Sequence, residues 1–229
     1  MGDTPGDPPA GLVDDLRSLG LDVEYATDSG TGRPYATVGG GPAANRGWGR
    51  YVIDLSRPAR VVVQVPHPAN DLGTEVIGVQ LFREVPGAVL VIAGTHRRAA
   101  NGAGDVAHRT DSMFHAIAEE HTRRHLPQLQ LHGFGDAGLP SADLVLSAGA
   151  GDDGPLLDDI ADRLDDDLRV CRAWRHDCGD LEGRRNKQGE VAARHGVEFL
   201  HVELSRSARD DAEVRAAVVR ALGDALDRP

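Results

Sequence analysis

The sequence predicts an α/β protein, a three-layer α/β/α sandwich built on a mixed, mostly parallel β-sheet. Strand and helix patterns alternate along its 229 residues, as they do where helices cover both faces of a sheet. Several strand patterns are apolar throughout, such as Val61 to Val65, which is typical of strands buried on both faces. Hydrophobic residues make up 40% of the chain, and this length is sufficient to bury a sizeable core.

The individual elements follow from local patterns taken in chain order. Short runs rich in apolar and β-branched residues predict strands, and apolar residues recurring every three or four positions predict helices. The predicted strands are 21–26, 51–55, 61–65, 88–93, 129–131, 144–147, 169–174 and 197–204. The predicted helices are 9–19, 74–83, a long helix over 105–126, an acidic helix near 157–168, and 208–226.

Composition limits the domain organisation and the classes of partner. We expect residues 1–9 to form a flexible tail and residues 10–229 to form one domain. No basic and apolar leader is visible and no apolar run approaches the roughly 18 residues of a membrane span. We therefore expect a cytoplasmic protein without a membrane partner, in which Cys171 and Cys178 are thiols. The net charge of −11 argues against nucleic acid as a partner.

Polar residues of similar chemical character follow several predicted strands. His67 comes just after the strand ending at Val65, and Asp71 and Glu75 follow it. His132 ends a later strand, and Glu203 lies in a late one. Because ligands in open α/β sheets bind beyond the carboxyl ends of the strands, these side chains predict a site at that edge.

The residue types predict a catalytic zinc ion. Zn²⁺ takes nitrogen and oxygen ligands at about 2.0–2.2 Å, and a catalytic site has three protein ligands with one position open for water. We assign His67, Asp71 and His132 as the ligands, with Glu75 as an alternative carboxylate. Glu203 is the predicted general base for the bound water.

An arginine is also needed to stabilise the negative charge that develops on the substrate. Arg97, just after the strand 88–93, and Arg209, near the start of the last helix, are the candidates.

These motifs, in this order, resemble the zinc carboxypeptidase superfamily, and within it the poly-γ-glutamate hydrolase branch. In that branch a histidine is followed by an acidic residue and Gly-Thr, a second histidine ends a later strand, and a glutamate in a late strand is the general base. Here the acidic residue is an aspartate four positions after the histidine. The matching pieces are His67, Asp71-Leu72-Gly73-Thr74, His132-Gly133, Asn186, Gly196, Glu203-Leu204-Ser205 and Arg209.

The resemblance implies hydrolysis of an amide bond in a peptide, γ-glutamyl or acyl-amino-acid substrate whose carboxylate pairs with an arginine. Two alternatives remain open. The segment from Val65 to Asp71 is similar to part of the zinc-dependent N-deacetylases of amino sugars, and a binding protein could use the same cleft without a metal. The catalytic interpretation requires His67 and His132 to approach closely enough to share one ion.

Overall fold

The computed structural model describes residues 8–9, 11–40, 47–165 and 168–227. Within them, nine strands form one sheet in the order β1-β2-β3-β5-β4-β6-β9-β7-β8. We predicted a flexible tail over residues 1–9, and residues 1–7 of it lie outside the described part. The strands are β1 (Leu21–Thr27), β2 (Pro34–Gly40), β3 (Arg50–Asp54), β4 (Val61–Val65), β5 (Ala88–Ile92), β6 (Gln128–Gly133), β7 (Leu144–Ser147), β8 (Val170–Arg172) and β9 (Phe199–Leu204).

The sheet is mixed, and its parallel part lies at the centre. Strands β5, β4, β6 and β9 run parallel to one another. Antiparallel pairing joins β1, β2, β3 and β5 on one side, and β9 with β7 on the other, while β8 is parallel to β7. The carboxyl ends of the four central strands therefore meet at one edge, where the predicted site residues lie.

Helices cover both faces of this sheet, which confirms the predicted α/β class and its layers. Helices α2 and α5 both pack against α8 on one face, and α4 packs against α6 on the other. No helix in the described ranges is long and apolar enough to cross a bilayer. The helices are α1 (Leu12–Ser18), α2 (Thr74–Glu84), α3 (Ala99–Gly102), α4 (Met113–Arg123), α5 (Pro155–Leu164), α6 (Lys187–Arg194), α7 (Arg206–Asp210) and α8 (Ala212–Leu226).

The main hydrophobic core lies between the central strands and the layer of α2, α5 and α8. Alternate residues of each central strand point into it, for example Val63, Leu129 and Leu200, each at most 1% exposed. A smaller apolar cluster lies on the opposite face, where Val91 and Phe114 are buried. Since successive residues of a strand point to opposite faces, the residues between those core positions face the α4 and α6 layer.

Two helix predictions were wrong, and some elements were not predicted. The long helix over 105–126 is instead a 3₁₀ turn (Val106–His108) followed by α4, because the Ser112 hydroxyl accepts from the backbone N–H of His115 and starts a new helix. Strand β2 and helix α6 were not predicted.

The final helix is divided into two, because Ser205 caps α7 and Asp211 caps α8. This replaces the single predicted helix over 208–226.

The expectation that both cysteines are thiols was also wrong. Cys171 in β8 and Cys178 form a disulfide, because the chain after β8 folds back and brings their Cα atoms to 6.2 Å. Disulfides persist mainly in oxidising compartments, so this bond does not support the expected cytoplasmic location.

Candidate metal centre

A tight turn after β4 positions His67 and Asp71 next to each other. The backbone N–H of Asp71 donates to the carbonyl of His67 at 2.8 Å, and the Thr74 hydroxyl donates to the carbonyl of Asp71 at 2.7 Å. Both site side chains are buried, His67 at 1% and Asp71 at 7% exposure. The carboxylate is therefore folded back over the imidazole.

His132 reaches the same place from the neighbouring strand. β4 and β6 are parallel, with Gln64 opposite Gln130, so the two strands end at the same edge. The His67 and His132 rings lie with their centroids 5.1 Å apart. The structure thus brings together the two imidazoles that are separated by 65 positions along the chain.

The three side chains converge with the spacing of zinc ligands. One Asp71 oxygen, Oδ2, is 3.5 Å from His67 Nδ1 and 3.5 Å from His132 Nδ1. Two ligands bound tetrahedrally to one ion at about 2.1 Å would lie about 3.4 Å apart. His67 Nδ1 is buried without a hydrogen-bond partner among the described residues. Two imidazole nitrogens and a carboxylate oxygen are donors that suit Zn²⁺, and the residues present fit that ion.

Asp105 orients the His67 ring from behind. Its Oδ1 accepts from His67 Nε2 at 2.8 Å, and its two oxygens also accept from Arg97 and His108. A carboxylate on the far nitrogen of a metal-binding histidine fixes the tautomer and the orientation of the ring. His67 Nδ1 is therefore left without a proton and directed at Asp71.

The electrostatics hold two of the three residues, His132 and Asp71, in metal-binding protonation states. Burial lowers the pKa of His132 to about 4, although Asp71 acts in the opposite direction. Burial alone would raise the pKa of Asp71, but the facing imidazoles of His132 and His67 outweigh it and hold that pKa well below its usual range. His132 is therefore a neutral imidazole and Asp71 an ionised carboxylate at neutral pH, the forms that bind metal.

Glu203 lies directly beside this group. It is opposite His132 in the pairing of β6 with β9, and a carboxylate oxygen lies within 4.8 Å of ring nitrogens of His132 and His201. Its Oε2 is buried with no hydrogen-bond partner among the described atoms. Burial, with repulsion from Asp71, raises the pKa of Glu203 well above its ordinary value, so its ionised form is a stronger base than a surface carboxylate.

The two predicted arginines have different surroundings. Arg97 has a side chain 34% exposed and donates through Nη2 to Asp105 at 2.8 Å. Arg209 is buried, and its guanidinium donates to the carbonyls of Leu204, Leu72 and Phe134. It passes so close to Gly133 that a Cβ there would lie 2.4 Å from the guanidinium, which explains why the residue after His132 is a glycine.

The alternative carboxylate, Glu75, points elsewhere. Its Oε2 accepts from the backbone N–H of Gly73 at 3.0 Å, in the first turn of α2, where a carboxylate is favoured by the helix dipole. Among the described residues, Asp71 is the carboxylate that groups with His67 and His132.

Sequence reasoning missed several residues that contact the group. Asp105 was interpreted as the start of a helix, and Gln130 and His201 as ordinary strand residues. Gln130 accepts from His132 Nε2 at 2.6 Å, and the His201 ring lies 4.7 Å from that of His132. Two buried glutamines on β6, Gln128 and Gln130 at 0% exposure, are the signal that was available, since buried polar groups need partners.

The fold is shared with solved structures of low sequence identity. The gene product Atu2144 of Agrobacterium tumefaciens is 14% identical, with a TM-score of 0.53 over 92% of this chain and 96% of that one. A protein described as zinc-free apo YndL is 12% identical, with a TM-score of 0.53 over 94% and 95%. A bacteriophage poly-γ-glutamate hydrolase is 12% identical, with a TM-score of 0.49 over 93% of both chains.

These similarities concern the fold. No family model matches the sequence, and no curated protein matches it. The two matches with a TM-score of 0.53 extend over nearly the whole chain, so the predicted α/β fold is one that solved proteins share.

Proposed function

We propose that this protein is a zinc-dependent hydrolase of amide bonds, with His67, Asp71 and His132 as the zinc ligands. One observation carries the proposal: two imidazole Nδ1 atoms lie 3.5 Å from the same carboxylate oxygen. The far nitrogen of each ring is already hydrogen-bonded, to Asp105 and to Gln130. This is how a protein prepares histidines to bind a metal.

The residues around the group support hydrolysis rather than storage of a metal. A bound zinc ion supplies a water molecule of lowered pKa and polarises the substrate carbonyl. Glu203 would accept a proton from the attacking water and deliver it to the leaving nitrogen, a role that suits a buried carboxylate whose pKa is raised well above its ordinary value.

The substrate is proposed to carry a carboxylate near the bond that is cleaved. Arg97 lies beside the group and has a partly exposed side chain, so it is a candidate to pair with a carboxylate in bidentate fashion. Arg209 donates to three backbone carbonyls and is the weaker candidate for direct contact. Together with the order of the sequence motifs, Arg97 favours peptide, γ-glutamyl or acyl-amino-acid substrates.

Metal analysis tests the ligand set. The purified protein should carry close to one zinc ion per chain, and added zinc should raise the melting temperature of protein stripped by a chelator. His67→Ala should lose both the zinc and this stabilisation. The matched control is His195→Ala, which removes an exposed histidine at the end of α6 and should bind zinc as wild type does. Wild-type protein that neither holds zinc nor is stabilised by it contradicts the proposal.

A substrate panel tests the reaction. It should contain γ-glutamyl peptides, α-linked peptides, N-acyl amino acids and an N-acetylated amino sugar, each with the zinc-loaded protein. Release of an amine from a carboxylate-bearing compound supports the proposal. Activity confined to the amino sugar indicates a deacetylase, and zinc binding without turnover of any compound indicates a binding protein.

A further inference from the structure

A line of buried amide side chains runs from His132 across the sheet to helix α4. Gln130 Oε1 faces His132 Nε2 at 2.6 Å, and Gln130 Nε2 donates to Gln64 Oε1 at 2.7 Å. Gln64 in turn donates to Gln128 Oε1, and Gln128 Nε2 donates to the carbonyl of Ala118 at 3.1 Å. All three glutamines have 0% exposure. Such a network is costly to bury unless every member is satisfied.

The end of this row of glutamines at α4 fixes the direction of every hydrogen bond in it. A backbone carbonyl can only accept, so the Gln128 side chain must present its NH₂ group to Ala118 and its oxygen to Gln64. Gln64 must therefore present its NH₂ group to Gln128 and its oxygen to Gln130. By the same reasoning Gln130 directs its oxygen at His132.

The hydrogen bonds of Asn186 give the same orientation of Gln130 independently. Asn186 Oδ1 accepts from the backbone N–H groups of Gln188 at 3.0 Å and Gly189 at 3.1 Å, at the start of α6. An N–H group can only donate here, so the Asn186 oxygen faces the helix and its NH₂ group donates to Gln130 Oε1. Both ends of the network thus hold the Gln130 oxygen towards His132.

This arrangement determines where His132 carries its proton. An oxygen that faces Nε2 requires a proton on Nε2. In a neutral imidazole the other nitrogen, Nδ1, then has no proton and carries an accessible lone pair. Asp71 acts in the opposite sense, because its carboxylate, 3.5 Å from His132 Nδ1, favours a proton on Nδ1 in the metal-free protein. The two neighbours of the ring therefore compete for its tautomer.

We propose that Gln130, held by Gln64, Gln128 and Asn186, is a positioning residue that keeps His132 in the Nε2–H tautomer with Nδ1 free for metal. The tautomer assignment stands on the hydrogen bonds alone, and its consequence for metal binding rests on the proposed function. Asp105 does the same for His67 with a charged group that is partly exposed, whereas Gln130 does it with neutral amides in a fully buried network.

Long-range ¹H–¹⁵N correlation spectra of the metal-free protein test the tautomer directly, because protonated and unprotonated imidazole nitrogens have distinct shifts. Wild type should show His132 protonated on Nε2. Gln130→Met has a similar length without an acceptor, so Asp71 should draw the proton to Nδ1. Its zinc affinity, measured by competition with a chelator, should fall by about 10- to 100-fold.

Two further variants separate this role from general damage to the fold. Gln130→Glu keeps an acceptor oxygen towards His132, so it should retain the Nε2–H tautomer and most of the zinc affinity, while its second oxygen opposes Gln64 Oε1 and should lower stability. Thr122→Val removes a hydroxyl that bonds Gln128 at the far end but leaves the Ala118 carbonyl in place. It should lower stability without changing the His132 spectrum or the zinc affinity.

Asn186→Asp covers the case in which Gln130→Met does not fold. It keeps the oxygen that caps α6 but opposes Gln130 Oε1 with a second oxygen, so it should weaken zinc binding in the same direction by a smaller factor. If Gln130→Met and Asn186→Asp both leave the tautomer and the affinity unchanged while His67→Ala loses zinc, the inference is wrong and the proposed function stands. If wild type binds no zinc but Gln130→Met still changes the tautomer, the proposed function fails and the tautomer assignment stands.

Discussion

The two faces of strands β4, β6 and β9 are both buried, yet their chemistry is opposite. One face presents Val63, Leu131 and Val202 to the core beneath α2, α5 and α8. The other presents buried amides and imidazoles to the layer of α4 and α6. The first face stabilises the fold through apolar area removed from water. The polar face shields its amides and imidazoles from water and fixes their orientation, as a metal centre requires.

This contrast teaches that burial alone does not identify what a strand residue does. A single register shift would exchange the two faces, so the alternation of apolar and polar residues along β6 specifies both the core and the site. Mutations on the polar face should therefore change chemistry, whereas those on the apolar face should change stability.

The largest effect should come from the polar face. Glu203→Gln removes the proposed base but keeps its shape, so hydrolysis of the best substrate should fall by about 10²- to 10⁴-fold with zinc content unchanged. Glu198→Gln is the matched control, because burial also raises the pKa of Glu198 but it belongs to no group of potential metal ligands in the described chain. Full turnover by Glu203→Gln would remove Glu203 from the mechanism.

On the apolar face, Leu200→Ala should mainly cost stability. Leu200 is 1% exposed within the main core, and truncation of such a residue lowers the free energy of unfolding by about 2–5 kcal/mol. Denaturant titration measures this, and the folded variant should still bind zinc like wild type. A loss of zinc affinity as large as that of a ligand mutant would show that the two faces are not separable in this way.

A smaller change is expected where the site meets solvent. Asp105→Asn should weaken zinc binding by about 10- to 100-fold, because it removes the carboxylate that orients His67. Asp111→Asn, which removes a carboxylate paired with Arg109 at the surface, is the control. Equal affinities for the two variants, measured by chelator competition, would rule out this orienting role.

The smallest expected effect concerns how the stability of the metal-free protein depends on pH. The pKa of Glu203 is raised in the folded protein, so the folded state holds its proton to higher pH than the unfolded chain. The contribution of Glu203 to stability therefore falls as pH rises above the ordinary value of 4.5.

Glu203→Gln removes this dependence, and the metal-free variant should melt higher than metal-free wild type, by a margin that grows from pH 5 to pH 8. Thermal denaturation in a chelating buffer measures it. A margin that shrinks with rising pH contradicts the assigned direction of the shift.

Much of the central sheet could be predicted because its signals are local. The run Val61 to Val65 is the strand β4 as observed, and α2 begins at Thr74 as predicted. Strand β2 was missed because Pro34 and its glycines are poor strand formers, and it is held by pairing with β1 and β3 on both sides. Helix α6 was missed because it has few apolar residues, and the Asn186 side chain starts it.

The candidate site was only partly predictable for the same reason. His67, Asp71, His132 and Glu203 were selected by their positions at strand ends, and the structure brings them together. Asp105 was not selected, because its contact with His67 depends on how a loop folds and leaves no periodic signal. The choice between Asp71 and Glu75 also depended on the turn after β4.

The sequence by itself determined the layered α/β fold, the positions of the central strands along the chain and the residue types at their ends, because these depend on apolar patterning and local turn chemistry. Only the tertiary structure decided which ring nitrogens point inward, which carboxylate joins them and which buried amides hold them. Those properties depend on the direction of hydrogen bonds between residues far apart in the chain, and hydrogen-bond direction is not encoded in any local pattern.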